Sequence, residues 1–265
     1  MAQQAQRDPA RLGAARRALF DRLIDHAAMF PPASLGVDAA LEVDRWARAT
    51  PEAWLLHRFL VPASKLPEIP AGRDVTLGVI VDAELPEQLD PRVDTLETRL
   101  ERSRLVEGRG AQVFLEVRPG DEAGLRAVAD LGANAKVRCG GATPDMYPSP
   151  GELAVFITGC RDAGLRFKAT AGLHHPIRDG IVHGFLNLLA ASVLAHAGGA
   201  GARELVDVLL ADEPGAFAFT DDAFRVAGRE FGADEIAATR RELFLGFGCC
   251  SFSEPVEDLR KLWIL

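Results

Sequence analysis

The repeating unit of this chain is clearest in residues 112–138, QVFLEVRPGDEAGLRAVADLGANAKVR. A strand pattern at 112–117 is followed by Asp121, a favoured helix N-cap residue, and by a helical pattern at 122–131. A second strand pattern follows at 135–138. Because strands that alternate with helices are typical of parallel sheets, the stretch predicts a βαβ unit.

The same alternation extends along the chain in both directions. The predicted strands are 23–30, 54–61, 75–81, 112–117, 135–138, 165–170, 216–219 and 243–248. The predicted helices are 37–48, 93–106, 122–131, 181–197 and 202–210, with further helix starts near Ser149, Asp179, Thr220 and Ser253. The stretch 62–73 has three prolines and no helical pattern, so it predicts a short turn.

Eight such units in 265 residues predict the α/β class and a (β/α)8 TIM barrel. We expect one barrel domain over 1–265, with a helical extension at about 1–20 and an extra helix near 201–210. A doubly wound open sheet is the alternative. It usually has a glycine-rich first turn, whereas residues 29–32 are Met-Phe-Pro-Pro.

Composition restricts the class of partner. The chain has 30 basic and 38 acidic residues and a net charge of −8, which argues against nucleic acid and anionic membranes as partners. It has no run of about 18 apolar residues, and its four cysteines have no C-x-x-C spacing. We therefore expect a cytoplasmic protein with reduced thiols. The apolar residues 262–265 are compatible with packing on the barrel or on a second subunit of a homo-oligomer.

Charged residues occur in the predicted strands. Side chains alternate between the two faces of a strand, so Lys136 shares a face with Arg138, and Lys168 shares one with Thr170. Glu116 ends the preceding strand. Neighbouring strands lie about 4.8 Å apart, and barrel active sites lie at the carboxyl ends of the strands. These positions predict a cationic cluster that binds a small anionic substrate.

Lysine is scarce in this chain. Of the 30 basic residues, only Lys65, Lys136, Lys168 and Lys261 are lysines, and two of them lie within strands. Lysine can lose its proton and form an imine, whereas arginine cannot. Cationic neighbours and burial are expected to lower the pKa of Lys168, which would make it a nucleophile. The simpler interpretation is that the strand lysines bind an anion or pair with Glu116.

Residues 168–172, Lys-Ala-Thr-Ala-Gly, resemble the Lys-Thr-Ser-Thr-Gly segment of the deoxyribose-phosphate aldolase group, and more broadly the class I (Schiff-base) barrels. The resemblance covers only this segment, which departs from the pattern between its lysine and its glycine. It implies an aldolase-like lyase in which Lys168 carries the imine and Lys136 tunes it. It also implies that Glu116 takes part in proton transfer.

Further residues are candidates for binding the substrate. Backbone N–H groups near glycines at the end of the last predicted strand can approach an anion closely. The substrate-binding candidates are Arg58, Arg138, Thr170, Asn187, Gly246 and Gly248.

The histidines suggest both a catalytic role and a metal. His174 and His175 follow a predicted strand, and His183 lies one helical turn before Asn187. We expect these histidines around the departing group of the substrate, with no cofactor. Together with Glu116 they also offer ligands for Zn, Mn or Fe, so a metal-dependent hydrolase or lyase is the first alternative. The structural interpretation is that His183 caps a helix and Asn187 satisfies loop carbonyls.

A non-catalytic barrel that binds an acidic metabolite is the second alternative.

Two further residues are open candidates for the site. Cys250 follows the last predicted strand, where a nucleophile could lie, although a buried structural cysteine is more common. His26 lies within the first predicted strand and could join the site.

Overall fold

The computed structural model describes residues 12–72 and 74–265, and its central feature is a closed barrel of eight parallel strands. All strands in chain order are β1 (Ile24–His26), β2 (Leu56–Pro62), β3 (Leu77–Ile80), β4 (Val93–Arg99), β5 (Gln112–Glu116), β6 (Asn134–Arg138), β7 (Phe167–Thr170), β8 (Phe217–Phe219), β9 (Ala223–Val226), β10 (Arg229–Gly232) and β11 (Phe244–Cys249). The barrel order is β1-β11-β7-β6-β5-β4-β3-β2, which confirms the predicted (β/α)8 TIM barrel. Strands β8 to β10 form a separate antiparallel sheet.

Helices cover much of the outside of the barrel. They are α1 (Ala14–Phe20), α2 (Val37–Arg48), α3 (Glu122–Asp130), α4 (Pro150–Asp162), α5 (Phe185–His196), α6 (Ala202–Leu210), α7 (Ala233–Glu242) and α8 (Ser253–Lys261). Helix α1 lies within the predicted N-terminal extension, of which residues 1–11 fall outside the described residues. Within the described ranges, no helix is long and apolar enough to cross a membrane.

The predicted helix at 93–106 is wrong. Its first half is the barrel strand β4, and its second half contains the short 3-10 helix Leu100–Leu105. Strand β4 does not form an apolar run because Thr95, Glu97 and Arg99 alternate on the face turned to the barrel interior. An inner face with charged residues hides the usual signature of a buried parallel strand.

Two assignments near residues 216–242 are also wrong. The predicted strand at 216–219 corresponds to β8, which belongs to the antiparallel sheet and not to the barrel. The helix predicted to start near Thr220 is replaced by the hairpin of β9 and β10. Its two-residue turn, Ala227 and Gly228, has φ angles of 49° and 71°. Positive φ at both positions matches the twist of a tight hairpin. The glycine of this turn was the available sequence signal, and it was not used in the prediction.

A helix predicted to start near Asp179 begins later. Asp179 and Val182 form an isolated antiparallel bridge, and helix α5 starts only at Phe185. The helix starts predicted at Ser149 and Ser253 are confirmed. At Ser149 the side chain accepts from the backbone N–H of Glu152, whose carboxylate accepts from the backbone N–H of Ser149. This capping box satisfies two otherwise unpaired donors at the start of α4.

Glycine is required at position 246 by the neighbouring strand. Gly246 has φ +150°, and a Cβ atom there would lie 2.4 Å from the carbonyl oxygen of Leu23. The close approach of the Gly246 backbone is therefore to the chain just before β1, not to an anion.

Gly246→Ala is expected to destabilise the protein by about 1–3 kcal/mol, because the new methyl group clashes with a backbone that cannot move freely. Chemical denaturation measures the loss. Gly215→Ala is the matched control, since a Cβ at Gly215 meets nothing within 4 Å. Equal stability of the two variants would contradict the steric argument.

Candidate active site

Eight charged side chains of alternating sign lie in continuous contact along the barrel interior. In order they are Arg138, Glu116, Lys136, Glu97, Lys168, Asp25, Arg58 and Asp94. We call this set the ion chain. Its four cations face four carboxylates, so it is formally neutral. The prediction of a cationic cluster is therefore wrong, because the barrel supplies its own counterions.

Lys168 lies at the centre of the ion chain and is 1% exposed. Its Nζ lies 2.5 Å from Oε1 of Glu97 and also donates to the carboxylate of Asp25. Burial by itself lowers the pKa of Lys168, but the two carboxylates outweigh it and raise the pKa above its usual value. The predicted lowering is wrong, and the resting side chain is a protonated ammonium.

The two acids beside Lys168 are ionised although they are buried. Burial raises the pKa of Asp25, but Lys168, Arg58 and His57 together lower it to about 2. Burial also raises the pKa of Glu97, and Lys168 and Lys136 bring it below its usual value. Neither acid was predicted from the sequence. The available signal was a single acid directly after an apolar residue, Ile24 before Asp25 and Leu96 before Glu97, and at Glu97 the predicted helix concealed it.

Neighbouring strands bring the two strand lysines onto one carboxylate. Lys136 Nζ lies 3.1 Å from Oε2 of Glu97, whose other oxygen binds Lys168. Lys136 Nζ also lies 3.5 Å from Oε2 of Glu116, and Arg138 Nε lies 3.1 Å from Oε1 of Glu116. Burial raises the pKa of Glu116, but Lys136 and Arg138 bring it below the usual value. Glu116 is thus an ionised group between the interior and the mouth of the barrel.

Arg58 lies at the other end of the ion chain. Its Nε donates to Oδ1 of Asp94 at 2.6 Å, and its Nη1 lies 2.8 Å from Nδ1 of His57. Its Nη2 lies 3.4 Å from Oε1 of Gln112, the first residue of β5. The Arg58 guanidinium is therefore occupied by protein groups near the amino ends of the strands, away from the expected position of a substrate.

A cleft of about 650 Å³ opens at the carboxyl ends of β4, β5 and β6. Its charged lining consists of Arg99, Arg102, Arg118, Arg138, Glu101, Glu116, Asp145 and Glu152, and Tyr147 adds a phenol. Glu116 and Arg138 are also the last members of the ion chain, so the cleft and the ion chain share these two side chains.

Three arginines of the cleft lack a carboxylate partner. In the described ranges 12–72 and 74–265, Arg99, Arg102 and Arg118 form no ion pair within 4.0 Å, and neither do the acids Glu101 and Asp145. Within these ranges Glu152 has no cation partner either, so the cleft is formally neutral, but the guanidinium groups of the three arginines are not neutralised by a carboxylate and can bind an anion. Arg99 and Arg102 were not predicted because residues 93–106 were assigned to a helix, whereas Arg118, directly after the predicted strand at 112–117, could have been found from its position.

His174 and His175 follow β7 but turn away from the ion chain. His174 Nδ1 lies 2.6 Å from Oε2 of Glu254, and His175 Nδ1 lies 2.6 Å from Oδ2 of Asp258. Both acids belong to α8. The structure therefore pairs these histidines with a helix outside the barrel rather than with Glu116.

His183 and Asn187 bind backbone groups. His183 Nε2 lies 2.6 Å from the carbonyl oxygen of Pro148, and His183 is 1% exposed. Asn187 Nδ2 donates to the carbonyls of Val208 and Ala211. The contacts of Asn187 confirm that it satisfies loop carbonyls, but His183 does not cap a helix, because the start of α5 has no side-chain cap.

The metal-ligand set proposed from the sequence is not assembled. Among the residues that the structure describes, no group of three or more histidine, cysteine, aspartate or glutamate side chains is arranged to hold a metal ion. Glu116, His174, His175 and His183 each have separate partners. His26 is also separate, because its Nδ1 binds Asp44 of α2 at 2.9 Å.

Thr170 and Gly248 lie side by side in neighbouring strands. Thr170 is two residues after Lys168 in β7, and is therefore nearer to the mouth of the barrel. Thr170 pairs in register with both Arg138 and Gly248. A Cβ at Gly248 would lie 3.6 Å from Oγ1 of Thr170 and 3.3 Å from a methyl group of Leu60. The side chains of Leu60 and Thr170 therefore pack closely against the Gly248 backbone.

The fold places the candidate site where (β/α)8 enzymes carry out their chemistry. No protein-family model matches this chain, and no curated protein sequence matches it.

Proposed function

We propose that this barrel is an enzyme that acts on a small anionic carbonyl compound, as an aldolase-like lyase with an imine at Lys168. The observation that carries the proposal is the cleft with three arginines that form no ion pair in the described ranges. Its Glu116 is linked by ion pairs, through Lys136 and Glu97, to the buried Lys168. The resemblance of residues 168–172 to the class I aldolases supports the same chemistry.

The cleft binds the anionic group in this proposal. A substrate carboxylate or phosphate accepts hydrogen bonds from Arg99, Arg102 and Arg118, which form no ion pair in the described ranges; Arg102 also donates to the carbonyl of Val81. Its carbonyl group then points down the barrel past Thr170 and Gly248 toward Lys168. Arg138 and Lys136 hold Glu116 ionised at the boundary between cleft and interior.

The carboxylates next to Lys168 provide the proton transfers. The Lys168 ammonium gives a proton to Glu97 or Asp25. Burial favours the resulting neutral pair, and the binding energy of the substrate has to offset the attraction of the carboxylates that holds the ammonium in the resting protein. The amine attacks the carbonyl carbon, and the carbonyl oxygen leaves as water after taking up two protons. The resulting iminium accepts the electron pair of the bond that breaks, and Glu116 exchanges a proton with the fragment at the mouth.

A non-catalytic barrel that binds an acidic metabolite is the second candidate. The observation that favours it is the low exposure of Lys168, 1%, together with its two bound carboxylates. In this case the ion chain is structural and only the cleft binds the ligand.

Borohydride trapping separates the two candidates. The wild-type protein is incubated with pyruvate, glyoxylate or glyceraldehyde 3-phosphate, reduced, and analysed by peptide mass mapping. The lyase proposal predicts a reduced adduct on Lys168 at least about tenfold above any adduct on Lys65 and Lys261, since an enclosed amine raises the effective concentration of its substrate.

Lys65 and Lys261 are internal controls, because both are exposed lysines in surface ion pairs. Adducts confined to these two lysines would contradict the lyase proposal. Calorimetric binding of the same compounds without an adduct on Lys168 would support the binding barrel instead.

A further inference from the structure

A second cluster of reactive side chains lies outside the ion chain. Nε2 of His174 lies 3.8 Å from Sγ of Cys250, and Nδ1 of the same ring lies 2.6 Å from Oε2 of Glu254. Cys250 follows β11 and His174 follows the neighbouring strand β7, so the cluster lies at the carboxyl end of the barrel. Glu254 lies in the first turn of α8.

The order of these groups is that of a nucleophile, a base and an orienting acid. The thiol faces one ring nitrogen, while the carboxylate holds the other and fixes the orientation of the ring. We propose that Cys250 is an activated, nucleophilic thiolate that is modified by small electrophiles, with hydroperoxides as the oxidising class. This proposal does not depend on the proposed lyase activity.

The surroundings of Cys250 favour its thiolate form. Burial raises the pKa of Cys250, but hydrogen bonds from His174 and from the backbone N–H of Ala33 lower it below its usual value, against a small opposing effect of Glu254. Hydrogen bonds with Cys249 and Cys250 raise the pKa of His174, and Glu254 adds to this. The positive end of α8 begins three residues after Cys250 and acts in the same direction.

The other three cysteines lack these features. Burial raises the pKa of the Cys139 thiol to about 12 and raises that of Cys160 still further. Cys249 is 2% exposed and faces the Nδ1 side of His174 at 3.9 Å. Of the four cysteines, only Cys250 is half-buried, so it alone combines access with an imidazole partner.

The cluster supplies the proton that the reaction with a hydroperoxide needs. The Cys250 thiolate attacks one peroxide oxygen, so that an S–O bond forms and the O–O bond breaks. The sulfur loses two electrons to the peroxide and becomes a sulfenic acid. The departing oxygen takes the proton of the His174 imidazolium and leaves as water, or as an alcohol from an organic hydroperoxide.

Alkylation kinetics test the activation of the thiol. Wild type, His174→Gln and Glu254→Gln are treated with iodoacetamide from pH 5 to pH 9, and each cysteine is followed by peptide mass mapping. At pH 6 we expect Cys250 to react at least about tenfold faster in the wild type than in His174→Gln. In His174→Gln the rate of Cys250 alkylation should rise with pH, with a midpoint at the free-thiol pKa of about 8.5. Glu254→Gln should lie between the two.

Cys139 and Cys160 are internal controls and should stay unlabelled until the protein is unfolded. In the wild type, a rate of Cys250 alkylation that rises with pH with a midpoint of about 8.5 would overturn the proposal, whatever the variants show. Hydrogen peroxide followed by dimedone should label Cys250 as its sulfenic acid before any other cysteine. Labelling of Cys249 first, or of no cysteine, would overturn the oxidative part.

Discussion

Lys168→Met is expected to destabilise the protein by about 3–5 kcal/mol at pH 7, since it leaves two buried carboxylates without their shared counterion. Asp25 and Glu97 are 3% and 1% exposed, and both bind the Lys168 ammonium. Equilibrium unfolding in urea measures the loss. Lys65→Met is the matched control and should cost less than about 1 kcal/mol, because Lys65 pairs with Glu68 at the surface.

The loss in Lys168→Met should depend on pH. In the wild type, Asp25 has a pKa of about 2, so its stabilising contribution is present above its unfolded pKa of about 3.9 and is lost as the pH falls toward 2. In the variant, burial without the ammonium raises the pKa values of both acids, so the folded state takes up protons as the pH falls. The difference between the two proteins should therefore narrow from pH 7 to pH 4.

A difference that is independent of pH would contradict the electrostatic explanation. It would indicate that the loss comes from a contact other than the two carboxylates, for instance that of the Lys168 ammonium with the ring of Phe114, whose centroid lies 5.5 Å from Nζ. Measurement at three or more pH values separates the two causes.

Arg99→Ala combined with Arg118→Ala is expected to weaken the binding of a small dianion such as malonate or inorganic phosphate by at least about 100-fold. Each arginine that loses a charge-assisted hydrogen bond costs about 1.5–3 kcal/mol, and about 1.4 kcal/mol corresponds to a factor of ten. Isothermal titration calorimetry at low and high salt gives the affinities. The contribution of the two arginines to the affinity for the dianion should decrease as the salt concentration rises, because both arginines are exposed.

Arg126→Ala is the control for loss of positive charge. Arg126 lies on α3 beside Glu122, outside the cleft, and its side chain is 68% exposed. It should leave the affinity nearly unchanged. Unchanged affinity in the double variant as well would show that the anion binds elsewhere. The stability of the double variant should equal that of wild type, because neither arginine forms an ion pair within the described chain.

The strands that could be predicted from sequence are those with an apolar outer face and a clear boundary. Strands β2, β5 and β7 are of this kind, and their predicted ranges overlap the observed ones. Strand β4 could not be predicted because Glu97 and Arg99 lie where a helix pattern also tolerates charge. Its stability as a strand depends on Lys136 and Lys168, which lie on other strands.

The candidate site, like the strands, could be predicted only in part from the sequence. The two-residue period of a strand placed Lys136 with Arg138 and Lys168 with Thr170, and the observed register agrees. It could not reveal Asp25, which is 143 residues from Lys168 in the chain. Without that acid and Glu97, the direction of the pKa change of Lys168 was predicted with the wrong sign.

By itself, the sequence determined the barrel fold, the strands that carry the two lysines, and the strand ends that His174, His175 and Cys250 follow, because these depend on local periodicity and on turn residues. Only the tertiary structure decided which charges meet: a closed barrel brings Asp25 of β1 and Glu97 of β4 onto Lys168 of β7. Electrostatic energies depend on distance and burial in space, and neither is encoded in the separation of residues along the chain.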